Sequence, residues 1–174
     1  MSAPRPNRDA DATATVAVRV PVPPERAFVL FVHDLDRWWR RGPKFRHSGH
    51  APGSLHLEPK LDGRVFERCG DGGSARDVAR EFELGRIVVF EPPHRLRFTW
   101  RNATFAAAER TEVDVTFAPS GDGTLVTVRH HGWHALRPDH PARHGLADAA
   151  LARSVGLWWG ELLAALREFA TSQP

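Results

Sequence analysis

Between Leu151 and Phe169 the chain carries one apolar stripe at helical spacing: Leu151, Val155, Trp158, Leu162, Leu166 and Phe169. Ahead of it lie mostly short alternating segments, so the sheet they build must bury its apolar face against this helix. The strand pattern starts at Thr13 to Val20, where Val16, Val18 and Val20 share one face and Thr15, Ala17 and Arg19 the other. It continues through a hairpin in SLHLEPKLDGRVFERC, then Phe82 to Phe90, Arg95 to Trp100, Glu112 to Phe117 and Thr124 to His131. The sequences GDGG, EPPH and PSGDG supply turns. PERAFVLFVHDLDRWW departs from alternation: Ala27, Phe28, Phe31, Leu35 and Trp38 or Trp39 recur every three to four residues, and Pro24 suits a first helical position. The fold class read from this is α+β, a curved antiparallel sheet of six to seven strands wrapped around a long C-terminal helix, with two short helices after the first strand. An all-β sandwich would leave the terminal stripe without a partner.

At 174 residues, with 41% hydrophobic and 26% charged residues, the chain suits one soluble domain with a sizeable core. Residues 13–170 are read as that domain. Residues 1–12 mix Pro, Arg, Asp and Ala without periodicity and are read as a disordered arm. No apolar run approaches the roughly 18 residues of a membrane span, and the start lacks the apolar core of a secretion signal, so a cytoplasmic location is expected. Cys69 is the only cysteine, which excludes an internal disulfide and a four-cysteine metal site; it reads as a small filler rather than a nucleophile. Nearly every basic residue is arginine, a composition that GC-biased coding also produces, and no specific nucleic-acid partner is read from it.

Strand parity puts Phe98, Trp100, Val113, Val115, Phe117 and Val128 on one face, with Trp158, Trp159 and Leu162 approaching from the helix. Adjacent indoles on a helix diverge by about 100°, so at most one sits at the centre of the stripe. Gly156 and Gly160, one turn apart, imply either close helix-sheet packing or room for a ligand. The face as a whole is either a filled core or the wall of a cavity. His130 continues its parity, as hydrogen-bonded structure or as a ligand-binding or proton-transfer group. The neighbouring His131, His134, His140 and His144 raise the question of zinc. His130 and His131 point to opposite strand faces and no compact partner group accompanies them, so no metal and no cofactor is assigned.

A two-residue turn at Asp62-Gly63 would pair Leu61 with Arg64 and set Glu58 opposite Glu67, a pair able to act as acid and base inside a cavity. In the competing arrangement Leu55, Leu57 and Phe66 claim the interior, both glutamates face solvent near Arg68 or Arg86, and a bulge at Pro59 changes the register. In DRWWRRGPKFRH, five cations surround Trp38, Trp39 and Phe45. They read as a phosphate or membrane contact, or as a solvated helix end whose tryptophans pack inward.

The element order, together with FEPPHRLRFTW, TEVDVTFAPSGDGTLVTVRHHGW and GLWWGELLAALREF, resembles the START-like (SRPBCC) superfamily, in the branch named for homologues of the activator of the heat-shock protein 90 ATPase. The resemblance covers roughly Thr13 to Phe169. It implies a helix-grip fold with a cavity between sheet and C-terminal helix, used across the superfamily for hydrophobic small molecules. It also implies that Trp38, Trp39, Arg40 and Arg41 lie near the cavity entrance, where they would select an anionic ligand. The expected function is binding of a hydrophobic or aromatic small molecule. Alternatives are a polyketide cyclase- or dehydratase-like enzyme working through Glu58, Glu67 or His130, and a co-chaperone-like interaction module. The chain is too short to contain the eukaryotic activator's additional N-terminal domain, which disfavours a chaperone partner; a homodimer stays open.

Overall fold

A computed structural model describes residues 12–70 and 80–173. The arm expected at 1–12 therefore lies outside the described residues, except for Ala12, which is fully buried. Of the glycine-rich turn, only Gly70 falls within them.

Seven strands form one antiparallel sheet: β1 (Ala14–Val20), β2 (Gly53–Leu57), β3 (Arg64–Cys69), β4 (Arg80–Glu91), β5 (Arg95–Trp100), β6 (Thr111–Ser120) and β7 (Gly123–His131). Their order across the sheet is β1-β7-β6-β5-β4-β3-β2. Two short helices, α1 (Pro24–His33) and α2 (Leu35–Trp38), follow β1, and the 24-residue α3 (Asp148–Thr171) closes the chain. Strand alternation and helical spacing therefore decode as expected. α3 lies on the concave face and packs most extensively against β1.

The expectation that α3 alone covers the sheet needs correction. Seven strands spaced about 4.8 Å apart span about 29 Å, whereas a helix with its side chains is about 10–12 Å wide. The remaining concave surface is covered by α1, whose Phe28 and Phe31 rings lie 5.2 Å and 5.7 Å from Phe117 in edge-on contact. At the centre of the α3 stripe stands Trp159, completely buried, while Trp158 is half-buried.

The hairpin register also differs. Leu55 faces Glu67 and Leu57 faces Val65, so Glu58 lies across from Arg64, with its N–H donating to the Arg64 carbonyl at 2.9 Å, and not across from Glu67. Pro59 has no N–H to extend the ladder. The turn widens to five residues, and its backbone docks on β4: Asp62 N–H donates to the Ile87 carbonyl and Ile87 N–H to the Gly63 carbonyl, both at 2.9 Å. A Cβ at Gly63 would stand 2.1 Å from the Glu58 carbonyl oxygen, which excludes a side chain there. β4 itself bends beside β3, and a Cβ on its Gly85 would stand 1.6 Å from the Thr99 carbonyl oxygen.

Edge strand β2 is protected by side chains of the segment before it. Asp36 accepts from Leu55 N–H at 2.8 Å, and Arg41 donates to the Gly53 carbonyl at 2.9 Å. These bonds occupy backbone groups that an edge would otherwise offer to another chain.

Candidate functional site

The interior between the sheet and α3 is filled. Val113, Val115, Phe117, Val128, Trp159 and Leu162, expected as ligand contacts, are each at most 2% exposed and pack against one another and α1. Phe98 borders a void of about 10 Å³, room for no more than one water. Gly156 and Gly160 hold no cavity open: a Cβ on Gly156 would make ordinary contact with Val16 at 3.8 Å, and one on Gly160 would meet nothing.

Open space lies instead at one end of the grip, as a cleft of about 810 Å³. Such a volume suits a small organic ligand. One wall is the loop from Pro43 to His47, and the opposite wall joins Asn102 to Thr104 with Ala142 and His144. β3 and β4 contribute Glu67, Phe82 and Leu84, and the N-terminal half of α3 contributes Leu151 through Glu161. Among the residues expected to touch ligand, Trp100, His130 and Trp158 line it.

The cleft is rich in aromatic surface. Trp100 and Trp158 lie 6.0 Å apart, Phe45 stacks on Trp158 at 6.1 Å, and the His47 ring stacks on Phe82 at 3.9 Å. Behind them Trp39 contacts Trp100, Trp158 and Trp159 at 5.9, 5.7 and 5.5 Å, fixing the indoles against each other.

The entrance expected at Trp38, Trp39, Arg40 and Arg41 is displaced along the chain. Trp38 and Trp39 are buried, with their indole N–H groups donating to the carbonyls of Leu30 and Phe45. Arg40 donates to the Glu161 carbonyl and Arg41 pairs with Asp36. The wall begins just beyond, after Gly42 turns the backbone at φ 97°. Arg46 then locks the loop from inside: its buried guanidinium donates to Asp36 Oδ1 at 2.6 Å and to the carbonyls of Arg40 and Trp39 at 3.0 and 2.9 Å. Burial alone would raise the Asp36 carboxyl pKa. The Leu55 N–H and the Arg46 and Arg41 guanidiniums outweigh burial and hold it below the ordinary aspartate value.

Glu67 and Glu58 do not form a pair. Glu67 points inward beside Val65 and is 1% exposed, while Phe66 points outward onto His56, the reverse of the parity expected for Phe66. Its carboxylate accepts from the N–H groups of His47 at 2.7 Å and Ser48 at 3.1 Å, and from the Ser48 hydroxyl. Glu58 instead binds Arg64, whose side-chain and backbone hydrogen bonds hold its carboxyl below the usual range.

His130 is fully enclosed by its own hydrogen bonds. Trp159 Nε1–H donates to its Nδ1 at 3.1 Å, which leaves the ring proton on Nε2. Nε2–H donates to Thr111 Oγ1 at 2.8 Å, and that hydroxyl donates to the Trp100 carbonyl at 3.2 Å. Burial, with a smaller contribution from His131, pushes its pKa down to about 3. Elsewhere His140 accepts from Ala142 N–H at Nδ1 and donates to Glu109 from Nε2, and His131 lies 3.9 Å from Glu112. Among the described residues no three histidine, cysteine or carboxylate side chains gather as a metal site.

Sequence reasoning did not single out Phe82, Leu84, Asn102, Thr104, Trp133 or Leu157 as cleft residues. Only the even-numbered alternation of Phe82 and Leu84 carried a usable signal.

A curled seven-stranded antiparallel sheet closed over a C-terminal helix is the helix-grip architecture of the START-like (SRPBCC) superfamily. Within it, the chain belongs to the family described as Activator of Hsp90 ATPase homolog 1-like protein, whose pattern matches residues 21–168. No curated protein sequence matches. Among solved structures, protein MLL2253 from Mesorhizobium loti is similar with a TM-score of 0.60 at 17% identity, over 93% of this chain and 99% of that one. The Aha1 dimer from Colwellia psychrerythraea gives 0.57 at 13% identity, over 90% and 93%. DynU16, a protein of the dynemicin biosynthetic locus, gives 0.58 at 16%, over 92% of this chain and 48% of that one.

Proposed function

We propose that the protein binds an aromatic small molecule in the end cleft, with Trp100, Trp158, Phe45 and Phe82 as its apolar walls. The observation that carries this reading is open volume bordered by aromatic rings beside an otherwise filled core. Burial of flat apolar surface supplies the affinity, about 25 cal/mol per Å² removed from water before the cost of association. The enzymatic alternative needs an ionisable group free to exchange a proton with a ligand. Glu67 and His130 have their hydrogen bonds occupied within the protein, which counts against these two residues as the acid or base. A co-chaperone role rests on the family description alone, and a homodimer on the Colwellia relative; a pull-down with the heat-shock ATPase and sedimentation velocity test these. We also infer a cytoplasmic location; among the described residues no helix is long and apolar enough to cross a membrane.

The test is native mass spectrometry of protein purified from its own host, with calorimetric titration of the emptied protein by naphthalene-sized aromatics. Retained organic mass, or saturable binding that Trp158→Ala abolishes, supports the reading. Absence of both overturns it.

A further inference from the structure

The polar groups of the cleft divide by whether their hydrogen bonds are already used. Glu67 is spent on the 47–48 backbone and Ser48, and Glu161 is neutralised by Lys44, which engages one of its two oxygens. Arg46 is committed to Asp36 and two carbonyls, and His130 to Trp159 and Thr111. Asn102 is half-committed. Its Oδ1 accepts from the N–H of Thr104 at 3.0 Å and the hydroxyl at 2.7 Å. A backbone N–H only donates, so the amide orientation is fixed and its NH₂ is left over.

The His47 and His144 rings and the Ser154 hydroxyl line the same cleft without a hydrogen-bonded partner among the described residues. The unused groups offer two N–H on Asn102, at least one on each imidazole and one hydroxyl, of which only the Asn102 amide nitrogen cannot also accept. Among the described cleft residues no carboxylate lacks a cationic or hydrogen-bonding partner.

Resting on the cleft-binding reading, we infer that the ligand is an aromatic molecule bearing oxygen acceptors, a carbonyl or carboxylate, and not an aromatic amine cation. Its ring faces meet Trp100, Trp158 and Phe82. Its oxygens take hydrogen bonds from Asn102 Nδ2 and from the His144 or His47 ring, which stand on separate walls.

Four probes of one size test this by calorimetry: naphthoate, acetylnaphthalene, ethylnaphthalene and naphthylmethylammonium. Hydrogen bonds to charged groups carry enough free energy that naphthoate should bind about tenfold more tightly than the ammonium probe. Acetylnaphthalene should exceed ethylnaphthalene by about threefold, an arm that a general attraction of the basic protein for anions does not move. In Asn102→Ala/His144→Ala, and in a triple variant that adds His47→Ala, both preferences should shrink toward unity while ethylnaphthalene affinity stays within about twofold. Binding of all four probes with equal affinity, a preference for the ammonium probe, or preferences unchanged in the triple variant would overturn the inference and leave the cleft reading standing. No binding of any probe would sink both.

Discussion

Acidification should destabilise the protein through one side chain, His130. Its pKa in the folded chain is near 3, against about 6.5 once unfolded. Between those values only the unfolded chain takes up the proton, so this contribution is complete above about pH 6.5 and is lost as the pH falls toward 3. The slope is about 1.4 kcal/mol per pH unit, giving a loss of about 1.4 kcal/mol at pH 5.5 and about 2.7 kcal/mol at pH 4.5. Carboxylates with lowered pKa, such as Asp36 and Asp114, lose their contributions at lower pH, as the medium approaches the ordinary carboxylate range near 4. Urea unfolding followed by tryptophan emission from about pH 7.5 to 5.5 stays above the carboxylate range, and comparison with His130→Gln separates this imidazole from the other histidines. His130→Gln should reduce the change across that interval by about 1.4 kcal/mol, whatever its absolute stability. Parallel curves for the two proteins would refute the assignment of a neutral, enclosed imidazole.

Gly160→Ala should stabilise by about 0.5–1 kcal/mol in thermal or urea melts, since a methyl group there meets nothing and the helix gains a better former. Gly85→Ala should cost about 3 kcal/mol or more, because its Cβ would collide with the Thr99 carbonyl at the bend of β4. Arg46→Met should cost about 2–3 kcal/mol, removing charge-assisted bonds to Asp36 and two carbonyls, and should weaken naphthoate binding by loosening the Pro43–His47 wall. Calorimetry on the same variant checks the second effect.

Several local features were legible because their cause is local. The β1 alternation from Val16 to Val20 and the α1 spacing of Ala27, Phe28 and Phe31 follow from periods of two and 3.6 residues that any short window reveals. His130 was placed inward by the same counting. The Glu58–Glu67 pairing failed because Asp62-Gly63 describes a turn only if the chain on both sides can keep the ladder. Pro59 stops it, and β4 at Ile87 offers the turn backbone other partners. Phe66 went to the wrong face as part of the same register error.

Periodic side-chain pattern alone determined a sheet of six to seven strands, the helices and, outside the Gly53–Cys69 hairpin, the face that turns inward, because burying an apolar stripe is a requirement each segment states for itself. Where empty volume remains was decided by tertiary structure. α1 fills the central groove with Phe28 and Phe31, the 42–49 loop is held by Arg46 from one side and Glu67 from the other, and the 3₁₀ segment at Trp133–Ala135 leads into the far wall. A cavity is what neighbours distant in sequence fail to occupy, so no window of residues records it.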